Sequence, residues 1–500
     1  MHRIRALPLF VLLMAIGAAA MLVPASHALA LSNFRVSRAF AYSFLLFAIF
    51  TGFLALASAA ARPANHSRAH LLTMLAAFTV LPLMLAVPFA EALPSTSLFD
   101  AWWEMVSSMT TTGATLYSAA DLPPSLHLWR GMVAWMGGYF VLVMAISVLA
   151  PLRLGGFEVF FAGDPGARAA ADTVADSRAR IVRAAQVLAP AWLGLTLALW
   201  VGLLIAGDTP LVALIHAMST LSTSGITSLP SFSTAASGIG GEMLIFVFLL
   251  LALSRRLWPG ARELRVAVRL DQDPELRLAA VAVAAVAISL FLRHWLVTYE
   301  VAFLADARRL AAALWGAVFT SLSFLTTTGF ESTGWIAART WSGLDAPGLL
   351  LGGLAIFGGG VATTAGGVKL LRVYALLRHG ERELQRLVHP SSLGGGGMGA
   401  RRLRREGAYI AWVFFMLFAM SIGATMMALS AAGLSFEPAT MLSISALSNT
   451  GPLAAFSGPG GEAWANLGSA AKLVLVAAMV LGRLETLALI ALFNPEFWRR

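Results

Sequence analysis

The sequence predicts an all-α polytopic membrane protein in which four pseudo-symmetric repeats, each a helix, a pore loop and a second helix, surround a central pore. Two observations predict this fold class. The 500-residue chain is 58% hydrophobic and only 12% charged, with a mean hydropathy of +0.78, which is typical of chains with many membrane-spanning helices. A short hydroxyl-rich loop with a glycine also occurs four times between apolar stretches, as expected of an internally repeated domain.

The four loops share a pattern of serine, threonine or asparagine residues followed by glycine. Successive glycines are separated by 112, 104 and 122 residues. Because glycine adopts positive φ angles without a Cβ clash, the neighbouring carbonyl groups can turn toward one axis. The loops are Thr110–Thr115, Ser222–Thr227, Thr326–Phe330 and Ser448–Pro452.

Four such loops in register favour an ion-selectivity filter. In such a filter, backbone carbonyls helped by hydroxyl groups replace the water shell of a monovalent cation. One loop alone would be explained more simply by glycine as a helix C-cap, but the fourfold recurrence favours the filter. The predicted filter residues are Thr111, Thr112, Gly113, Thr223, Ser224, Gly225, Thr327, Thr328, Gly329, Asn449, Thr450 and Gly451.

A short apolar stretch precedes each loop and predicts a re-entrant helix. Acidic residues and proline favour helix starts, so the partially negative C-terminal end of each helix would face the loop and attract a cation. Irregular backbone at membrane depth is tolerated only where protein buries it or where it lines an aqueous cavity. The stretches are Ala101–Met109, Leu211–Leu221, Leu310–Leu325 and Ala439–Leu447, which follow Asp100, Asp208, Asp306 and Glu437.

The chain divides into two N-terminal spanning helices and four repeats. Residues 7–30 form either a signal peptide or a retained first helix, and the length of the apolar run favours the helix. The predicted divisions are 1–65 for two N-terminal helices, the second at 39–61, and 66–184, 185–272, 273–405 and 406–500 for repeats 1 to 4. The outer helices of the repeats are predicted at 71–91 and 130–151, 185–206 and 241–254, 277–297 and 347–371, and 408–430 and 466–493.

The distribution of charge predicts the orientation of the chain. The formal net charge is +10, but the basic residues concentrate in alternate loops, as the positive-inside rule requires of cytoplasmic segments. This pattern argues against a nucleic-acid partner and places both termini in the cytoplasm. On the other side, residues 92–129, 207–240 and 431–465 contain six acidic residues and no Lys or Arg. These acids predict a vestibule that gathers cations, although acids also suit helix caps.

Features absent from the sequence argue against an enzyme. The chain contains no cysteine, which excludes disulfides and thiolate chemistry. It has no H-E-x-x-H zinc motif, no candidate Ser/His pair and no paired intramembrane carboxylates. We therefore predict no enzymatic activity and no organic cofactor. A purely structural membrane scaffold would leave the four loops unexplained.

The second helix of repeat 3 is interrupted by the glycine-rich segment Gly358–Lys369. Small residues at this density indicate close packing or an unwound, movable segment. In the last helix, Arg483 carries a permanent charge in apolar surroundings and needs a partner. Glu485 lies two residues away and points in a different direction, so we expect backbone carbonyls of Gly358–Gly367 to bind the guanidinium group.

Taken together, these residues resemble the Trk/Ktr/HKT superfamily of cation transporters, most closely its bacterial TrkH-type potassium uptake subunits. The resemblance covers nearly the whole chain. It rests on the four glycine loops in order, Trp135-Met136-Gly137-Gly138, Gly366-Gly367-Val368-Lys369 and Leu481-Gly482-Arg483-Leu484-Glu485. It implies potassium uptake across the bacterial cytoplasmic (inner) membrane through a gated pore, driven by the membrane potential. The alternative is a sodium-permeable or H⁺- or Na⁺-coupled transporter of the same superfamily.

The resemblance also implies roles for particular residues. Relatives that favour sodium often have serine at the first filter glycine, whereas all four positions are glycine here, which implies a preference for K⁺. The implied K⁺ ligands are the backbone carbonyls of Thr111, Thr112, Thr223, Ser224, Thr327, Thr328, Asn449 and Thr450. The implied gating residues are Gly359, Gly360, Gly366, Gly367, Lys369 and Arg483. We expect Arg483 beneath the filter, holding the glycine-rich segment across the pore.

The implied partners are membrane lipid, a second copy of the chain in a homodimer, and a cytoplasmic nucleotide-binding regulatory subunit of the TrkA type. Arginine-rich cytoplasmic segments such as 372–405 are the expected docking site for that subunit. The fourth loop departs most from the family pattern because of Asn449 and Pro452.

Overall fold

The computed structural model describes residues 8–58, 66–150, 156, 177–258, 273–297, 307–389, 398–457 and 464–484. All regular secondary structure in these residues is helical. Within them, seven segments are long and apolar enough to cross a membrane: Leu9–Ala30, Phe34–Ser58, Ala69–Ala92, Pro124–Leu149, Arg178–Ala206, Pro274–Arg293 and Gly407–Ala431. The predicted class of all-α polytopic membrane protein is confirmed.

The sequence predicts ten spanning helices, and the three beyond these seven are shorter in the described residues. The second helix of repeat 2 is Gly238–Ala252, and that of repeat 3 ends at Phe357 where the glycine-rich segment begins. The last helix is described only as far as Leu484.

The N-terminal part contains three helices: α1 (Leu9–Ala20), α2 (Leu22–Ala30) and α3 (Phe34–Ser58). Helices α1 and α2 follow each other almost directly, and Pro24 lies in the first turn of α2, where proline is tolerated. Met14, Ala18 and Met21 are buried in the main apolar core. Residues 9–30 therefore pack as part of the bundle, while retention of this segment stays a prediction.

The first two repeats follow the predicted order of helix, short helix, loop and helix. In repeat 1, Val80 separates the first helix into two parts because Pro82 starts a new helix. Repeat 1 comprises α4 (His66–Thr79), α5 (Leu81–Ala92), α6 (Leu98–Met109) and α7 (Pro124–Met144), which a π-helical turn extends to Leu149. Repeat 2 comprises α8 (Ser177–Ala206), α9 (Pro210–Ser222) and α10 (Gly238–Leu249).

Repeats 3 and 4 have the same order, with two helices that the sequence did not predict. One is α13 (Trp335–Ser342), an eight-residue helix that Gly343 ends at a φ of +61°. The other is Leu370–Val388, most of which lies in the arginine-rich segment 372–405. Repeat 3 comprises α11 (Pro274–Val297), α12 (Ala307–Leu325), α13, α14 (Pro347–Phe357) and α15 (Leu370–Val388). Repeat 4 comprises α16 (Met398–Ala431), α17 (Phe436–Ser448) and α18 (Ser469–Leu484).

Two glycines let outer helices approach the ends of short helices. A Cβ atom on Gly137 of α7 would overlap the carbonyl oxygen of Met109, and one on Gly482 of α18 would overlap that of Leu447. Met109 and Leu447 each lie four residues before a loop glycine. These contacts give a packing reason for two of the family motifs, because only glycine allows backbones this close.

Several sequence expectations lie outside the described residues. They concern Asp306, Glu462, Glu485, Gly394–Gly397 and the divisions at 65 and 272. The divisions at 184 and 405 fall inside helices α8 and α16, and all four divisions stay predictions.

Candidate ion filter and gate

Each of the four short helices ends in the same hydrogen-bonded turn. The residue two positions before the loop glycine is left-handed, with φ between 52° and 59°. Its N–H donates to the carbonyl three residues back, and the next N–H donates five residues back, which is the Schellman motif. The left-handed residues are Thr111, Thr223, Thr327 and Asn449. The hydrogen bonds that span five residues have lengths of 2.8–3.0 Å, and their acceptors are the carbonyls of Ser107, Ser219, Ser323 and Ser445.

The residue that ends each helix is therefore not the loop glycine. Gly113, Gly225 and Gly329 have φ angles of 74°, 66° and 83°, and they lie beyond the cap. Gly451 does not have a positive φ, and it begins a 3-10 turn that contains Pro452. The helix-cap explanation of the glycines is wrong, and so is the expectation of a positive φ at the fourth glycine.

The four loops contact one another in a closed ring. At three of the four junctions, a loop glycine is packed so closely against the next loop that it has no room for a side chain. At the fourth junction, Gly451 N donates a hydrogen bond to Thr112 O at 2.6 Å. Loop 1 contacts loop 2, loop 2 contacts loop 3, loop 3 contacts loop 4, and loop 4 returns to loop 1. The other three contacts join Gly113 to Ser224 O, Gly225 to Thr328 O, and Gly329 to the Pro452 ring.

Hydroxyl groups brace each loop from within. The hydroxyl of the first loop residue bonds to a helix carbonyl four residues back, as between Thr110 Oγ1 and Val106 O at 2.8 Å. It also pairs with the hydroxyl two residues on, so these hydroxyl groups are engaged within the loop. The hydroxyl pairs are Thr110–Thr112, Ser222–Ser224, Thr326–Thr328 and Ser448–Thr450, at 2.8–3.2 Å.

Two of the eight expected carbonyl ligands already accept hydrogen bonds. Thr112 O accepts from Gly451 N, whereas Thr450 O accepts from both Ser445 Oγ at 2.7 Å and Leu453 N at 3.1 Å. A carbonyl oxygen has two lone pairs, so Thr112 O retains one for an ion, while both lone pairs of Thr450 O are engaged. The first and fourth loops therefore have less freedom than the second and third.

The glycine-rich segment Gly358–Lys369 is buried directly against three of the loops. Gly366 N donates to Thr327 Oγ1 at 2.8 Å, and Thr364 Oγ1 donates to Leu221 O at 3.0 Å. A Cβ atom on Gly366 would overlap the carbonyl oxygen of Ser448. The segment thus touches the ends of α9, α12 and α17, and Gly366 has no room for a side chain.

Further contacts anchor the ends of the glycine-rich segment. Val361 N donates to Glu275 Oε1 at 2.8 Å, and Gly360 N donates to Ala252 O at 2.9 Å. Lys369 Nζ donates to Ala365 O within the segment. Glu275 is 2% exposed, so its carboxylate lies inside the protein against the segment. Gly359 and Gly367 are also packed against backbone, at Ala252 O and Ala355 O.

Arg483 contacts the first loop, whereas the contacts of the glycine-rich segment described above are with the other three loops. Its side chain is 6% exposed, and its Nη2 donates to Thr111 Oγ1 at 2.5 Å. The expected bonds were to carbonyls of Gly358–Gly367, whereas this bond runs to a loop side chain. Thr111 and Thr327 are equivalent positions of the ring, so Arg483 and Gly366 bond to equivalent threonine hydroxyls.

Protein partners compensate three of the acids expected to form a vestibule. Asp100 pairs with Lys472 at 2.5 Å, and Glu104 pairs with Arg130 at 2.6 Å. Burial tends to raise the pKa of Asp208, but hydrogen bonds with His216 and Ser237 hold that pKa below its ordinary value. These acids therefore act mainly in local structure. Asp121 and Glu437 are exposed.

Sequence inspection missed the serines that accept the helix-ending bonds. A serine stands six residues before every loop glycine, at Ser107, Ser219, Ser323 and Ser445. Aligning the four loops on glycine reveals this serine column. This repeated serine predicts where each short helix ends.

Four short helices that end on a closed ring of carbonyl-bearing loops, inside a bundle of apolar helices, define a pore-loop ion transport protein. The family model of TrkH, described as a cation transport protein, matches residues 36–500. This chain belongs to the TrkH family. Because this family consists of transporters, the prediction that the chain is not an enzyme is confirmed.

Relatives and a solved structure support this membership. The chain is 32% identical over 449 residues to the Trk system potassium uptake protein TrkH of Salmonella typhimurium, covering 87% of this chain and 86% of the relative. It is 29% identical to the Trk system potassium uptake protein TrkI of Halomonas elongata, covering 85% and 82%. The crystal structure of the potassium transporter TrkH from Vibrio parahaemolyticus is similar, with a TM-score of 0.77, 27% identity, and coverage of 99% and 100%.

The two ion pairs near the loops predict unequal effects on stability. Replacing Arg130 with Met leaves the Glu104 carboxylate buried without its counter-ion, which costs about 3–5 kcal/mol. Replacing Lys472 with Met breaks a partly exposed pair and costs about 1 kcal/mol or less. We expect thermal unfolding in detergent to show a much larger loss of stability for Arg130→Met. Equal shifts for the two variants would contradict the assignment of Glu104 to a buried pair.

Proposed function

We propose that this chain is the ion-conducting membrane subunit of a Trk-type potassium uptake system in the bacterial inner membrane. The observation that carries this proposal is the closed ring of four glycine loops at the ends of four short helices. The partially negative ends of these helices attract a cation. The uptake of K⁺ is driven by the membrane potential and needs no covalent step. The relatives are potassium uptake proteins, which supports the choice of ion.

The loop carbonyls act as the K⁺ ligands in this proposal. Left-handed backbone at Thr111, Thr223, Thr327 and Asn449 turns the chain sharply at the end of each helix and directs successive carbonyls toward the ring axis. A ring of this kind replaces the hydration shell of the ion. The tight packing around Gly113 and Gly225 keeps the ring at one size. Selectivity for K⁺ follows from that size and from the number of carbonyls.

The glycine-rich segment and Arg483 form the gate. The segment lies against the loops from the side of Arg483, and its dense glycines allow it to move. Arg483 adds a permanent positive charge that opposes cation passage. Gly359, Gly360, Gly366, Gly367 and Lys369 provide the turns and contacts of the closed segment.

The assembly includes three further partners in our proposal. The apolar outer faces of the helices contact lipid, a second copy completes a homodimer, and a TrkA-type nucleotide-binding subunit docks on cytoplasmic arginine-rich segments such as 372–405. Both termini lie in the cytoplasm, as the distribution of basic residues indicates. Docking of the regulatory subunit moves the gate.

Uptake measurements test the proposed function directly. Cells that lack their own potassium uptake should grow at low K⁺ and accumulate Rb⁺ when they produce this chain together with a regulatory subunit. Excess Na⁺ should compete weakly, and collapsing the proton gradient at constant membrane potential should leave the uptake unchanged. Uptake that follows the Na⁺ or H⁺ gradient would instead favour the sodium-permeable or coupled transporter.

Substitution of Gly113 tests the filter. The φ of Gly113 is 74°, and a Cβ atom there would overlap Ser224 O, so Gly113→Ser should distort two loops. We expect the Rb⁺/Na⁺ uptake ratio to fall by about tenfold, since this corresponds to about 1.4 kcal/mol of lost discrimination. The matched control is Gly343→Ser, because Gly343 has a φ of 61° but open space around its Cβ. An unchanged ratio at normal protein levels would remove Gly113 from the filter.

Substitution of Arg483 tests the gate. Arg483→Ala removes the charge and the bond to Thr111, so ion flux without the regulatory subunit should rise several-fold. Arg483→Lys should be intermediate because it keeps the charge and loses the guanidinium fork. The control is Arg38→Ala, which alters an exposed arginine that bonds to Phe34 O of its own helix. Flux that stays at the closed level in well-produced Arg483→Ala would show that Arg483 is only a structural anchor.

A further inference from the structure

A buried polar side chain occupies the same position in three of the four short helices. It lies nine residues before the loop glycine and is Glu104 in α6, His216 in α9 and Thr320 in α12. All three side chains are 0% exposed. The residue types differ, but the position in the repeat is the same, which indicates a shared geometric role.

Each of these side chains hydrogen-bonds the segment that leaves its own loop. Leu116 N donates to Glu104 Oε2 at 3.1 Å, His216 Nε2 pairs with Thr227 Oγ1 at 2.9 Å, and Ser332 N donates to Thr320 Oγ1 at 3.2 Å. The bonded residues lie two or three positions after the loop glycine. Each bond therefore ties the exit of a loop to the middle of the helix that precedes it.

We propose that Glu104, His216 and Thr320 are positioning residues that set the ion selectivity of the ring. This inference rests on the proposed function of the loops as a filter. The Schellman turn fixes the entry of each loop, and the buried side chain fixes its exit. The glycine and its neighbouring carbonyls span the interval between these two anchors. Moving the exit changes the direction of the carbonyls and hence the size of the ion cage.

A second layer of contacts orients the three side chains. Arg130 Nε contacts Glu104 Oε1 at 2.6 Å, and Asp208 Oδ2 lies 3.7 Å from His216 Nδ1. The Thr320 site is reinforced by Glu242, a buried residue that accepts bonds from Ser332 Oγ and Thr333 N, both at 2.6 Å. Connected buried networks of this kind hold a geometry more rigidly than single bonds.

The fourth loop is held in a different way. Leu442 occupies the equivalent position and has no polar group. Instead, Trp464 Nε1 donates to Gly451 O at 3.2 Å, and Ser445 Oγ donates to Thr450 O at 2.7 Å. The one loop that lacks the buried polar side chain is thus the loop whose glycine has a different backbone conformation. This correlation supports a link between the conformation of a loop and the hydrogen bond that holds the segment leaving it.

Thr320 offers the sharpest test because valine has nearly the same shape and lacks the hydroxyl. We expect Thr320→Val to lower the Rb⁺/Na⁺ uptake ratio about fivefold, the equivalent of about 1 kcal/mol or one buried hydrogen bond. Thr320→Ser keeps the hydroxyl and should restore the ratio. The matched control is Thr425→Val, because the Thr425 hydroxyl donates to Ser421 O within its own helix at 2.7 Å rather than to a segment that leaves a loop.

Thr227→Val provides a second, independent test, since it removes the hydroxyl that pairs with His216. It decides the question if Thr320→Val fails to accumulate in the membrane. A lowered ratio in either valine variant, with rescue by serine at the same position, supports the proposal. An unchanged ratio, or an equal fall in Rb⁺ and Na⁺ uptake, overturns it.

The same assay separates this inference from the proposed function. Gly113→Ser is measured beside the valine variants. If it lowers the Rb⁺/Na⁺ ratio while the valine variants do not, the loops form the filter and the positioning role is wrong. If the unsubstituted protein itself does not discriminate Rb⁺ from Na⁺, the filter assignment fails.

Discussion

Four helices end inside this membrane protein, and the backbone groups at those ends must find hydrogen bonds without water from the bilayer. An unsatisfied polar group in hydrocarbon costs several kcal/mol, whereas a left-handed conformation of a residue such as Thr111 costs about 1–2 kcal/mol. The Schellman turn is therefore favoured over an open helix end, because the strain of one left-handed residue is smaller than the cost of leaving carbonyls such as that of Ser107 without a hydrogen bond. In our proposal, most of the loop carbonyls beyond the turn bind the ion. The ring is thus a consequence of how the helices end.

The strained residues also connect the ring to Arg483 and to the glycine-rich segment. Thr111 accepts a bond from Arg483, and Thr327 accepts one from Gly366 N. A β-branched residue with positive φ persists only when its surroundings hold it there. Arg483 supplies part of that support to Thr111, and Gly366 supplies part of it to Thr327. The filter and the gate in our proposal therefore share two side chains, and each constrains the geometry of the other.

Local sequence patterns predict much of the fold and less of the site. Hydropathy and the glycine spacing locate the short helices and the loops, because both signals lie within stretches of about ten to twenty residues. The cap position at Thr111, the helix Trp335–Ser342 and the bond from Arg483 to Thr111 were missed. The last depends on residues 372 positions apart, which no local pattern encodes. The acids near the loops misled for the same reason, since Lys472 is distant in sequence from its partner Asp100.

A single chain with four unequal repeats allows the gate that we propose, whereas four identical subunits would not. Arg483 approaches the first loop, while the glycine-rich segment reaches the other three. In a ring of four identical chains, the residue equivalent to Arg483 would occur four times around one axis. Four like charges close together repel strongly where water is scarce. Unequal repeats place one positive charge on one side. The same freedom lets Glu104, His216 and Thr320 solve one geometric problem with three chemistries, so the repeats keep a common ring shape without a common sequence.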